Sequence, residues 1–275
     1  KFFCTVETIT SLDDDISCGC GRRNNVIGGE ETEINEYPMM CGLIDMELKG
    51  ILCGATIINE RQVVTAAHYS KISEHKISLI KIIFYINVNS ENLFRTESFM
   101  IHPLYDDKTQ DHDIAVVTIV GMMTFSPTVG PVCLPFQHSP DTFGGVVVEV
   151  LGWGSKEFAG GPSSTLQKAR LNVVSNKICF QTYKDLSTRQ VCTQGSGKDS
   201  CQFDSGGPVL WQNPTSRRLV GIGIISLGSI CGDDVPAVNT RIGAFISWIV
   251  EQTPEGNNNN NNNVKVAMSL PAHLA

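Results

Sequence analysis

The chain has 275 residues, of which 41% are hydrophobic and 18% charged, and a formal net charge of −7. That length buries one or two sizeable cores, and that apolar content excludes a disordered chain. The acidic balance argues against nucleic acid as the main partner, because phosphate binding asks for a basic face.

No apolar run approaches the ~20 residues of a membrane helix. The nearest, Ile77 to Val88, contains Lys81 and Asn87 and reads as a strand, so no membrane span is expected. The sequence begins at Lys1 with no initiator Met and no signal-peptide pattern, which reads as a processed or trimmed product.

Along the chain, residues 1–17 end in the acidic, linker-like Leu12-Asp13-Asp14-Asp15. From Val26 to about Leu227, short β-rich runs alternate with clusters of Pro, Gly, Asn and Asp. Ala55–Ile58, Asp113–Val120, Gly145–Leu151, Ala169–Val174 and Leu219–Ser226 are examples. Short strands at regular spacing, without long helical patterns, predict an all-β barrel or sandwich architecture. A single helix is predicted over Ala244–Gln252, with Phe245, Trp248 and Ile249 on one face and Pro254 and Gly256 stopping it. Asn257–Asn263 is an uninterrupted Asn run, and the tail to Ala275 reads as disordered.

The 10 cysteines are Cys4, Cys18, Cys20, Cys41, Cys53, Cys133, Cys179, Cys192, Cys201 and Cys231. Only Cys18-Gly19-Cys20 is close-spaced and no His cluster accompanies it. A disulfide framework formed in an oxidising compartment is therefore expected rather than a metal site. The loop after His68 lacks a clear carboxylate pair, and no cofactor or metal is assigned.

Three segments carry chemistry. Val64-Thr65-Ala66-Ala67-His68 places a His after an apolar run, and Asp111-His112-Asp113-Ile114-Ala115-Val116 places an Asp at the head of another. Cys201-Gln202-Phe203-Asp204-Ser205-Gly206-Gly207-Pro208 places a Ser in a glycine-rich turn. A Ser hydroxyl is a poor nucleophile until a base takes its proton, and His serves that role near neutral pH. The His in turn needs an acceptor on its other nitrogen to fix the tautomer and stabilise the imidazolium. Glycines around the Ser let backbone N–H groups approach a developing oxyanion.

On the T-A-A-H and D-S-G-G-P motifs, in this order and separation, the chain resembles the chymotrypsin family from about Val26 to Pro254. The resemblance implies two six-stranded antiparallel Greek-key barrels, with the active site in the cleft between them and one C-terminal helix. It makes His68 the base, Asp113 its partner and Ser205 the nucleophile, with Asp111 and His112 as decoys. The oxyanion donors become the backbone N–H groups of Phe203 and Ser205. Val26-Ile27-Gly28-Gly29 resembles the activation segment, whose freed amine pairs with Asp204. Gly152-Trp153-Gly154 and His102-Pro103-Leu104-Tyr105 match framework, which makes His102 structural. Ser226 matches the residue that hydrogen-bonds the triad Asp. The resemblance also pairs Cys179 with Cys192 and Cys201 with Cys231, and ties Cys133 to Cys18 or Cys20.

Asp199 matches the floor of the primary specificity pocket in trypsin-like members, with Ser226, Gly228 and Ala237 among the pocket positions. A carboxylate there favours Arg or Lys before the cut bond. Phe3-Cys4-Thr5-Val6 resembles the closing strand of a CUB domain. Together with the Cys-Gly-Cys linker and Glu36-Tyr37-Pro38-Met39-Met40, it is similar to arthropod CUB-proteases of venom, saliva and haemolymph. The implied organisation is a CUB-like remnant at 1–10, a propeptide linker at 11–25, a protease domain at 26–254 and the Asn-rich tail at 255–275. The implied partners are protein or peptide substrates, protease inhibitors and an activating protease, in a secreted, extracellular setting.

Five departures from the family pattern bear on activity. Phe203 stands where the family has Gly, and its ring projects toward the leaving-group side. Tyr69 replaces the Cys after the catalytic His, which removes the expected partner of Cys53. Cys41 is additional, and whether it pairs with Cys53 across neighbouring strands is left open. Leu227 and Ala237 replace a cleft-walling Trp and a pocket-lining Gly. Asn25 precedes the activation segment where Arg or Lys is usual. Two functions follow: an active endopeptidase of trypsin-like preference, or a weakly active or inactive homologue acting as a binding or regulatory protein. The intact triad favours the first.

Overall fold

The computed structural model describes residues 30–33, 35–47, 50–71, 80–84, 93–154, 163–195, 205–227 and 235–253. The first barrel is built from β2 (Met40–Asp45), β3 (Gly50–Asn59), β4 (Gln62–Thr65), β5 (Ile80–Phe84), β6 (Leu93–Ile101) and β7 (Ala115–Ile119). Its strands close in the order β2-β3-β4-β7-β6-β5, so β4 pairs with β7 rather than with β5, the return connection of a Greek key.

The second barrel uses β8 (Val147–Gly152), β9 (Gln167–Val174), β10 (Gln190–Gln194), β11 (Pro208–Gln212), β12 (Leu219–Leu227) and β13 (Ala237–Arg241). Pairing runs full circle as β8-β9-β10-β13-β12-β11 and back to β8, the same topology repeated. The two expected six-stranded barrels are thus present, with one addition. The short β1 (Glu30–Glu31) joins the second barrel as an extra strand, with Glu30 opposite Lys168 and Glu31 opposite Gln167.

Strand alternation explains why both barrels bury two faces. In β4, Val63 points into the first barrel with Leu43, Ile57, Val117 and Ile119. Its neighbour Val64 points the other way, into a cluster shared with Leu151, Trp153, Leu210 and Ile224 of the second barrel. The second barrel has its own interior of Val148, Val150, Leu171, Val173, Val209, Val220 and Ile222. Where one face lines a barrel and the other the seam, as in β3 and β12, the strand reads as a nearly continuous apolar run. By contrast, β6 and β9 keep polar, partly exposed positions.

The chain reaches the first barrel by way of the second. Thr32 N donates to Leu166 O at 3.0 Å. Lys168 Nζ donates to both Glu36 carboxylate oxygens at 2.9 and 2.8 Å, with only 3% and 10% of the two side chains exposed. Tyr37 Oη donates to Glu149 Oε2 at 3.0 Å, and Arg170 Nε to Glu149 Oε1 at 3.0 Å. At the other end, Gln62 Nε2 donates to Gln252 O at 2.8 Å, fastening the C-terminal helix to the first barrel.

Three expectations need correction. The helix expected over Ala244–Gln252 opens instead as a 3₁₀ turn, Ile242–Phe245. It becomes α-helical only over Ile246–Glu251, because Phe245 (φ −117°, ψ 9°) leaves helical geometry. A second helix, α1 (Asn176–Thr182), has no counterpart in the sequence reading. Only Cys179 is buried in it, so it has no apolar stripe. It is fixed by the Cys179–Cys192 disulfide to β10, the pairing the resemblance implied. Finally, Asp113 does not open a strand: β7 starts at Ala115, because His112 adopts a left-handed backbone (φ 56°) just upstream.

Cys133 is disulfide-bonded. Its partner, with Cys4, Cys18, Cys20, Cys201 and Cys231, lies outside the described residues, as do the segments 1–29 and 254–275. No helix among the described residues is long and apolar enough to cross a membrane.

Candidate active site

His68 sits in a 3₁₀ turn, Ala67–Lys71, directly after β4. Ala66 and Ala67 ahead of it are fully buried, so small side chains carry the chain into the seam between the barrels. His68 makes two contacts to Asp113. Its backbone N donates to Oδ1 at 2.8 Å, and its ring Nδ1 pairs with Oδ2 at 2.8 Å. Asp113 is 0% exposed, whereas 21% of the His68 side chain is exposed. From the second barrel, the Ser226 hydroxyl donates to Asp113 Oδ2 and Thr240 Oγ1 donates to the Asp113 carbonyl at 2.7 Å. A carboxylate without solvent is costly unless donors replace the lost water. Here three of them do.

Ser205 belongs to a turn clamped between the barrels. Gly54 N of β3 donates to Ser205 O at 3.0 Å, and Gly206 N donates to Ile225 O of β12 at 2.7 Å. Ile225 N returns a bond to Gly207 O at 2.9 Å. Ile225 is the neighbour of Ser226, so the serine turn and the His68–Asp113 pair are referenced to adjacent residues of one strand. Two glycines are required by contact. Gly206 has φ +83°, and a Cβ there would lie 2.4 Å from both Gly54 O and Thr65 Oγ1. A Cβ at Gly54 would lie 2.7 Å from Gly207 Cα. Thr65 Oγ1 holds the same carbonyl of Gly54 at 2.8 Å.

The decoys do something else. Asp111 accepts from Arg189 through Nε at 3.1 Å and through Nη2, and from Ser187 Oγ at 2.9 Å. Burial works to raise its carboxyl, but the Arg189 and Ser187 hydrogen bonds and the nearby positive charge outweigh it, so Asp111 titrates below the usual carboxylate range. His112 stacks on His102 with centroids 4.7 Å apart, and Phe245 and Trp248 close around them. Burial lowers both imidazoles below the ordinary His range. His102 is therefore packed framework, in keeping with the sequence reading.

The thiol question left open by the sequence has an answer. Cys41 and Cys53 are both free and fully buried inside the first barrel. Register places Cys41 opposite Ala55 and Cys53 opposite Leu43, so the two are diagonal rather than directly paired. Cys53 Sγ lies 3.6 Å from Thr65 Oγ1. Burial pushes the Cys53 thiol up to about 12, against the Thr65 contact and with help from the Asp113 charge. Burial, then Cys53, pushes Cys41 up as well. Tyr69 packs against this cluster and its ring lies 4.4 Å from that of His68.

Ala237 is buried at the head of β13, opposite Thr193, while Leu227 ends β12 with 39% of its surface exposed. Asp199, Phe203, Asp204, Gly228, Asn25 and Val26 lie outside the described residues. The sequence reading held Thr65 only as part of the T-A-A-H motif, and it missed Gly54, Thr240, Ser187 and Arg189. None has a local signature, because each acts on a partner brought in by folding.

Two linked antiparallel barrels, with a buried Asp–His pair and a glycine-flanked Ser turn at their seam, define the two-barrel serine protease class. The chain belongs to the Trypsin family, whose profile matches residues 26–249. It is similar to "Venom serine protease 34" of Apis mellifera, 43% identical over 267 residues covering 93% of this chain and 65% of that protein. It is 33% identical to "Venom serine protease" of Polistes dominula over 92% of this chain and 94% of that one. It is also 33% identical to "CLIP domain-containing serine protease B4" of Anopheles gambiae over 87% of this chain and 73% of that one. The chain thus spans just under two thirds of the length of its honeybee relative.

Proposed function

We propose that this chain is a secreted, catalytically active endopeptidase that cuts after Arg or Lys through an acyl-enzyme. The observation that carries the reading is the fully buried Asp113, bonded to His68 Nδ1 and to Ser226, beside the clamped Ser205 turn. With Nδ1 engaged by the carboxylate, Nε2 is the nitrogen left to act as base. It takes the Ser205 Oγ proton as Oγ attacks the scissile carbonyl carbon. The resulting oxyanion is received by the N–H groups of Phe203 and Ser205. The C–N bond then breaks, His68 gives its proton to the leaving amine, and an ester to Ser205 remains. Water, deprotonated by His68, hydrolyses that ester and restores the Ser205 hydroxyl.

Asp199 supports the basic preference, and the methyl of Ala237 narrows the slot above it. In this reading 26–254 is the protease unit, released from the 11–25 linker by cleavage ahead of Val26, so that the new amine pairs with Asp204. Residues 1–10 are the CUB-like remnant and 255–275 a tail. The substrates are proteins, and protease inhibitors and an activating protease are the natural partners. Relatives named as venom proteases support secretion.

A fluorophosphonate probe tests the reading. It should label the activated chain and fail to label Ser205→Ala, with hydrolysis of Arg and Lys peptide substrates lost in parallel. An unlabelled, properly folded wild-type chain would move the reading to a homologue that regulates by binding.

A further inference from the structure

Apart from the two bonds from His68, the segment leading into Asp113 is held largely from outside its own barrel. The loop between β6 and β7 carries two left-handed non-glycine residues, Gln110 (φ 53°) and His112 (φ 56°). Asp113 lies at the centre of a three-residue turn closed by Ile114 N donating to His112 O at 2.8 Å. The first-barrel ladder begins at Ala115, opposite Thr65 and Ile101, with one further bond from His102 N to Ile114 O at 3.0 Å. The upstream half of the loop must be located by something else.

The second barrel supplies it. Arg189 grips Asp111 with two nitrogens, and Ser187 Oγ adds a third bond. Gln190, 4% exposed, donates Nε2 to the carbonyls of Thr109 and Gln110 at 3.3 Å each. Its Oε1 is fixed by Ser187 N at 2.9 Å, and Arg189 O is fixed by Arg241 N at 2.8 Å. Gln190 and Thr240 are register partners between β10 and β13. Since Thr240 holds the Asp113 carbonyl, one rung of the second barrel grips the loop on both sides of Asp113.

We infer that Arg189, Ser187 and Asp111 form a positioning clasp that sets the orientation of Asp113, and through it His68, from the opposite barrel. The three are positioning residues, since none contacts His68. A forked guanidinium on a carboxylate fixes direction as well as distance, which a single-point cation does not. A displacement of about 1 Å at such a site can cost roughly 10²-fold in rate. This inference rests on the protease reading for its kinetic readout.

The test compares Arg189→Gln and Arg189→Lys with the wild-type chain, each activated and normalised to active sites counted by burst titration. Lys184→Gln, an exposed change nearby, is the control. The expected result is a fall in kcat of roughly 10- to 100-fold for Arg189→Gln at unchanged KM, with partial recovery in Arg189→Lys. In parallel, the low-field proton resonance of the His68 Nδ1–Asp113 bond should shift or broaden in Arg189→Gln and stay put in Lys184→Gln. If kcat per titrated site and the resonance are both unchanged while thermal stability falls, the clasp is merely structural and the inference is overturned. If the wild type neither turns over nor binds the probe, the protease reading fails. The resonance then decides the clasp alone: a shift supports it and an unmoved signal overturns it.

Discussion

The two barrels share a topology but are held together differently. The second contains the Cys179–Cys192 bridge and the bonded Cys133, and its β9 receives the buried Lys168–Glu36 pair. The first contains two cysteines and no bridge between them, so its strand ladders and packing keep it closed without a covalent tie. A covalent tie shrinks the unfolded ensemble, whereas packing contributes only while the barrel is shut. The first barrel, which carries His68 and Asp113, is therefore the half expected to open first.

Thiol chemistry gives the widest contrast. A thiol pushed up to about 12 is almost entirely protonated near neutral pH, and it is also out of contact with solvent. Iodoacetamide should alkylate Cys41 and Cys53 at least ~10³-fold more slowly in the native protein than in the unfolded one. Mass mapping measures this. Native alkylation at an ordinary rate would mean that the barrel opens freely or that the thiols are displaced.

Core deletion tests which barrel limits stability. Of the 3 tryptophans, Trp211 packs against the second-barrel interior, while Trp153 and Trp248 touch first-barrel residues. Fluorescence is therefore followed in a Trp153→Phe, Trp248→Phe background, where it reports the second half. Ile57→Ala and Ile222→Ala each remove a fully buried side chain, at an expected cost of about 2–5 kcal/mol. In Ile57→Ala, peptide hydrolysis should vanish at a lower urea concentration than the fluorescence change. In Ile222→Ala the two should coincide. Coincident transitions in both variants would erase the distinction between the barrels.

The smallest effect is set by pH at the seam. His102 and His112 titrate below the ordinary His value, so the folded state resists their protonation. Such groups contribute stability that is present above the ordinary His value and is lost as pH falls through the lower folded one. The melting temperature should drop modestly on acidification below about pH 6.5. His112→Asn, which tolerates the same left-handed backbone, should flatten that limb. An unchanged slope would place the acid sensitivity elsewhere.

Much of this was legible in one dimension, and the reasons are local. Ala-Ala-His and Asp-Ser-Gly-Gly-Pro are contiguous because each must make a tight turn at the seam, and turns write their demands into neighbouring residues. The barrels were legible because alternating burial on two faces leaves apolar runs of regular length. What escaped depends on contacts between distant segments. Arg189 is an ordinary exposed-loop arginine until Asp111 is brought beside it. Helix α1 has no apolar stripe to announce it, and Cys53 reads the same whether bridged or free.

The stitching of residues 30–37 onto β8 and β9 also orders events in time. A chain made from its N-terminus at about 5–20 residues per second presents every first-barrel strand before it presents Lys168. The first barrel has the chance to close while β1 still lacks its partner, and Glu36 must wait, solvated, for its lysine. The segment that emerges first among those described is thus among the last to be seated, and on the other half of the molecule. Anything that delays synthesis or folding of the second barrel leaves that early strand with nowhere to go.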